Sequence, residues 1–171
     1  MKKIYIVLSH SGSIPSRIIK MFTHYKYSHV AISFDKDLET MYSFGRKKVN
    51  RPFDGGFIIE HKLSDFYQKF NKTNIIVLEI SVSNLNYIKL LNKIKKYKIH
   101  KELYKYDILG LIPRFFNIKI ERKYHNNCSE FVGRVLEESN IYKFNKSVIK
   151  PKDFMKIPNK KIIYKGLLFN Y

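Results

Sequence analysis

The run Thr73–Val82, TNIIVLEISV, constrains the fold more than any other feature. It is dense in Ile and Val, whose branched side chains suit a pleated strand better than a helix, and as a helix it would be far too short to cross a bilayer. A strand this apolar needs partners, and the chain supplies them. Lys3–Leu8, KIYIVL, reads as a buried first strand. Ser28–Phe34, SHVAISF, alternates: Val30, Ile32 and Phe34 share one face, His29, Ala31 and Ser33 the other. Asp35-Lys36-Asp37 turns the chain, and Glu39–Arg46 returns as an antiparallel strand. Lys47–Gly56, with Pro52 and Gly55-Gly56, reads as a basic loop, followed by a short strand at Phe57–His61 and a last one at Lys161–Lys165.

Helical patterns lie between these strands. They cover Ile14–His24, with Pro15 in its first turn, Leu63–Phe70, Asn84–Lys98, Asn127–Ser139, and a short piece after Pro151, while the apolar segment Tyr106–Phe116 reads as helix or turn, stopped near Pro113. In Asn84–Lys98 the residues Leu85, Ile88, Leu91 and Ile94 form the apolar stripe, and Lys89, Lys93 and Lys96 line another face. Early strands with interspersed helices, no internal repeat and no linker predict one α+β domain over residues 1–171. Its sheet is expected to be mostly antiparallel.

Charge and cysteine usage narrow the chemistry. The chain has 171 residues, a net charge of +19 and one cysteine, so neither an internal disulfide nor a CxxC metal site is available. No metal-ligand cluster, phosphate-binding glycine loop or nucleic-acid motif stands out, and no cofactor is expected. The Ile4–Leu8 run is too short for a signal-peptide core, and no segment reaches membrane-spanning length, so a soluble, cytoplasmic protein is expected. The basic stretches Arg46–Arg51 and Lys89–Lys105 suit an anionic surface or a simple solvated lysine face. Nucleic acid ranks last as a partner.

The lone cysteine sits in His125-Asn126-Asn127-Cys128-Ser129-Glu130-Phe131-Val132. Asn127 is a good N-cap and Glu130 holds the capping-box position, which puts Cys128 first in the helix. Free amides and the helix dipole favour a thiolate there, and the same amides suit an oxyanion. Cys128, Val132 and Leu136, spaced by four, face inward. A small buried apolar residue is the competing reading. His29, held on a strand beside Ser28 and Ala31, is the best candidate base, with a hydrogen-bonded core histidine as its alternative. His10, His24, His61 and His100 read as loop or element-end residues, and His125 is expected to point away from the sulfur.

The order of YSHVAIS, a return strand, a long insertion and NNCSEFVGRVL resembles the circularly permuted NlpC/P60 cysteine hydrolases. These are papain-like enzymes that include the YiiX-like and lecithin:retinol acyltransferase-like groups. The resemblance covers residues 3 to 155. It implies a permuted papain-like fold with the cysteine helix packed on the sheet, Cys128 as nucleophile and His29 as base. It also implies a third polar residue on the return strand, where Ser43 falls nearest the expected position and Glu39 is more distant. Ser9 and His10, in the first loop, are implied near the cleft for substrate or oxyanion.

The expected chemistry is acyl transfer through a thioester, with a peptide, amide or acyl-lipid substrate. An amidase or peptidase is the first expectation. A lipid acyl hydrolase or acyltransferase of the same fold is the second, and a non-catalytic basic binding protein the third. A narrow polar groove favours a peptide; an apolar cleft near Phe115 and Phe116 favours acyl chains.

Overall fold

The computed structural model describes residues 1–12, 25–48, 51–107, 109–110, 113, 116–118 and 122–171. The helix expected at Ile14–His24 lies outside these, as does part of the helical or turn segment expected at Tyr106–Phe116. The described chain is α+β and centred on one eight-stranded sheet. Its strands are β1 (Lys2–His10), β2 (His29–Ser33), β3 (Met41–Lys48), β4 (Arg51–Glu60), β5 (Asn74–Val82), β6 (Lys105–Tyr106), β7 (His125–Asn126) and β8 (Lys161–Leu167). They lie in the order β7-β6-β4-β3-β2-β1-β5-β8, and every pairing is antiparallel except β6 with β7. Three α-helices are described: α1 (Asp65–Lys69), α2 (Asn84–Ile99) and α3 (Cys128–Glu138).

The central strands read as apolar runs because both sheet faces are covered. Ile4, Ile6 and Leu8 of β1 join Val30, Ile32, Ile76, Leu78 and Ile80 on the face that receives α2 and α3. Tyr5, Val7, Ala31, Ile75 and Val77 form a second cluster on the other face, with Tyr67 of α1 and Leu168. On the first face Phe131 of α3 packs against Phe44, Phe57 and Tyr97, with ring centroids 5.2, 5.5 and 4.9 Å away. Such ring pairs add about 0.5–1.5 kcal/mol each beyond area burial, and here they fix the first turns of α3 against the sheet.

Two expectations are corrected. The basic loop Lys47–Gly56 is largely strand, since β3 and β4 form one long hairpin whose ladder runs through Gly45↔Gly56 and Arg46↔Gly55. The glycine pair marks close approach, not a turn. A Cβ on Gly56 would stand 2.3 Å from the Tyr104 carbonyl oxygen, and one on Gly55 2.6 Å from Tyr106 Cβ. Their bareness lets the segment carrying β6 lie against β4.

The apolar stripe of α2 is also corrected. The helix buries Leu90, Ile94 and Tyr97, whereas Leu85, Ile88 and Leu91 are 62%, 54% and 39% exposed. Apolar residues occupy both sides of α2, and the fold uses the side that meets the aromatic cluster. No helix among the described residues is long and apolar enough to cross a membrane.

Candidate functional site

The start of α3 is built as its sequence implies. Asn127 Oδ1 accepts the Glu130 amide at 2.9 Å, and Glu130 Oε2 accepts the Asn127 amide at 3.3 Å, a complete capping box. Cys128 is therefore the first helical residue. It is 5% exposed, and Val132 and Leu136 lie fully buried behind it.

Across from the sulfur, β2 begins with His29. The β2–β3 ladder holds Ile32↔Tyr42 and Ser33↔Met41 and has no registered pair closer to His29. Where the strands part, Val30 keeps neither of its polar groups for a ladder partner on β3. Its carbonyl accepts the Ser43 hydroxyl at 2.7 Å, and its amide donates to the Cys128 sulfur. The imidazole of His29 hydrogen-bonds the sulfur as well. Its Nε2 lies 2.7 Å from Glu60 Oε1, which leaves Nδ1 for Cys128. The Tyr67 hydroxyl donates to Glu60 Oε2, and Ser9 hydrogen-bonds Tyr67 in turn.

A continuous chain of contacts thus runs from Cys128 through His29, Glu60 and Tyr67 to Ser9. Glu60, Tyr67 and Ser9 are buried, and the His29 side chain keeps 25% of its surface exposed.

The electrostatics follow from these contacts. Burial opposes a charged imidazole, but the Glu60 carboxylate and the hydrogen bonds to Cys128 and Glu60 hold His29 well above its ordinary 6.5. Burial likewise opposes a thiolate. The hydrogen bond and charge of His29, the Val30 amide and the Ser129 hydroxyl outweigh it, and Cys128 sits below the ordinary thiol value. Glu60 resists burial through His29 and the Tyr67 hydroxyl, and its pKa is lowered. Tyr67, raised by burial and by Glu60, stays a donor. The arrangement favours a thiolate–imidazolium pair with a carboxylate behind the imidazolium.

The structure brings Cys128 and His29 together. Ser43 does not touch the imidazole: it is fully buried, and its hydroxyl is committed to the Val30 and Phe44 carbonyls. Glu39 is exposed, in the turn where its amide donates to Asp35. The partner of His29 is Glu60, one strand further along the chain than expected. Ser9 faces His29 across the β1–β2 ladder, yet its hydroxyl serves Tyr67, not the sulfur. His10 Nδ1 stands 3.5 Å from the Ser28 hydroxyl. His125 stays on β7, its Nδ1 against the Lys123 carbonyl at 2.8 Å. Glu60 and Tyr67 were not singled out in the sequence. The available signal for Glu60 was strand alternation, which puts it on the Ile58 face of β4.

A cleft of about 320 Å³ lies between the β3–β4 hairpin and β6–β7, lined by Lys47, Asp54, Lys105, Tyr106, Arg122 and His125 among others. None of Cys128, His29 and Glu60 lines it. Phe116 is 74% exposed, and Phe115 lies outside the described residues. Among the described residues no three His, Cys, Asp or Glu side chains gather as metal ligands. Comparison with protein-family models, with curated proteins and with solved structures returns no match.

Proposed function

We propose that this chain is a cysteine hydrolase of the circularly permuted papain-like type, acting by acyl transfer on an amide or peptide bond. The observation that carries the reading is the alignment of Cys128, at a capped helix start, with His29 and Glu60. The upstream position of the histidine strand supports the permuted order.

In this mechanism the Cys128 thiolate attacks the carbonyl carbon, and the C–O π electrons move onto oxygen. Free amides in the first turn of α3 face the developing oxyanion. The His29 imidazolium gives its proton to the leaving nitrogen, the C–N bond breaks, and a thioester remains on Cys128. The neutral imidazole then takes a proton from water as that water attacks. Collapse of the second tetrahedral intermediate expels the thiolate and releases the acid. Glu60 holds the imidazole in one orientation and stabilises its charged form, while Tyr67 holds Glu60.

Iodoacetamide alkylation against pH tests the reading. Wild type is expected to react well below the ordinary thiol pKa of about 8.5, with that component lost in His29→Ala. An ordinary thiol profile, indifferent to His29, removes the base and with it the proposal. Amide and ester acyl donors, run side by side, then separate peptidase from lipid acyl hydrolase.

A further inference from the structure

Helix α2 carries Lys89, Lys93, Lys95, Lys96 and Lys98 and no Asp or Glu. Its inner side is satisfied by Leu90, Ile94 and Tyr97 in the core. Its outer side is not the uniformly polar surface that a solvated helix presents. At about 100° per residue, Leu85, Ile88, Asn92, Lys95, Lys96 and Ile99 fall within an arc of about 100°, directly opposite the buried residues. Leu85, Ile88 and Ile99 are 62%, 54% and 64% exposed. Lys95, Lys96 and Lys98 are exposed as well, whereas Lys93 is held 2.7 Å from Glu138. The outer face therefore carries Leu85, Ile88 and Ile99 over about 21 Å, with Asn92 between them and Lys95 and Lys96 at the two edges of the arc.

We propose that the outer face of α2 docks the protein on an anionic lipid bilayer, with Leu85, Ile88 and Ile99 entering the headgroup–acyl boundary and the flanking lysines meeting acidic headgroups. Charge complementarity selects this occupant. A helix with five lysines and no acid, on a chain of net charge +19, is drawn to a negative surface. The aliphatic row separates a bilayer from nucleic acid, whose single strands are held by aromatic stacking and whose duplexes are held through phosphates. A bilayer interface accepts both parts of the face, the apolar row by burial and the lysines by electrostatics. A second copy of the chain would set lysines against lysines, which is repulsive. The inference does not depend on the enzymatic reading, because bilayer binding is measured without turnover.

The test is co-sedimentation of the full chain with phosphatidylcholine vesicles, with and without phosphatidylglycerol. Binding is expected to the anionic vesicles and to be at least tenfold weaker on the neutral ones. Lys95→Glu with Lys96→Glu should weaken it on the order of fivefold or more per lysine. Leu85→Asn with Ile88→Asn should cost about tenfold at unchanged charge. Both positions are solvent-exposed, so the thermal midpoint should hold. A control pair, Lys36→Glu with Lys161→Glu, makes the same change in net charge elsewhere and should leave most of the binding.

The chain has no tryptophan, so Ile88→Trp supplies a single reporter whose emission should shift to the blue on anionic vesicles. Any of four results overturns the proposal: no vesicle binding, full binding by the Asn pair, equal loss in the control pair, or Ile88→Trp emission unmoved on bound protein. Tighter binding to an oligonucleotide, lost in the Lys95/Lys96 pair and kept in the Asn pair, would assign the face to nucleic acid instead.

Discussion

Helices α2 and α3 pack on the same sheet face, touch each other and differ in how they use their apolar residues. In α3 the residues Cys128, Phe131, Val132, Val135 and Leu136 are all buried, and a full capping box sets the first turn. In α2 a Ser83 side chain caps the start through the Asn86 amide at 3.1 Å, but aliphatic residues lie on both sides of the axis and one set remains outside. A helix with one apolar face can be oriented from its sequence alone. A helix with two is oriented by what it meets, here the ring cluster of Phe44, Phe57 and Phe131 around Tyr97.

Substitutions sharpen this contrast. On the proposed function the largest effect belongs to the head of α3: His29→Ala should lower kcat/KM by about 10²–10⁴-fold on any acyl donor the protein turns over, and Cys128→Ala should abolish it. Next, within α2, Ile94→Ala should cost about 2–5 kcal/mol of unfolding free energy in a urea titration. Ile88→Ala should stay within about 0.5 kcal/mol. Equal costs at the two positions would contradict the assignment of faces.

Third, Glu60→Gln should reduce kcat/KM by at least about tenfold and change the pH profile. The reactive ion pair exists above the lowered pKa of Cys128 and below the raised pKa of His29, so the wild-type profile is a bell. Loss of the carboxylate charge lowers His29, and the alkaline limb moves to lower pH. Tyr67→Phe should shift that limb in the same direction by less, because the charge remains and only one hydrogen bond to it is lost. Among the site variants the smallest effect is expected from Asn127→Ala, which removes the cap at a cost of about 1 kcal/mol. That variant should also slow alkylation of Cys128 at low pH if the first turn frays.

Much of this was legible in the sequence where signals were local. The strands β1, β2 and β5 and the helix α3 follow from short-range patterning, and the capped position of Cys128 follows from Asn127 and Glu130. The pairing of Cys128 with His29 was expected from order and type. The third member was not, because the hairpin was cut short at Arg46. Pro52 and Gly55-Gly56 look like punctuation, but these glycines answer to Tyr104 and Tyr106, residues far along the chain. In the sequence Glu60 reads as part of a separate short strand, Phe57–His61, while the family resemblance points to the strand directly after the histidine, where Ser43 lies. Ser43 has a different task, visible only once β2 and β3 are seen to separate.

That separation has a bearing on how the site tolerates change. Of the groups that hold the sulfur, the Val30 amide belongs to the main chain, and every residue except proline would bring the same N–H to that position. Variation at residue 30 can alter packing without withdrawing the donor, whereas one base change can remove His29 or Glu60. The gap in the sheet gives the thiolate a contact that is nearly immune to substitution, and it persists as long as Ser43, or another donor, keeps the opposite carbonyl satisfied.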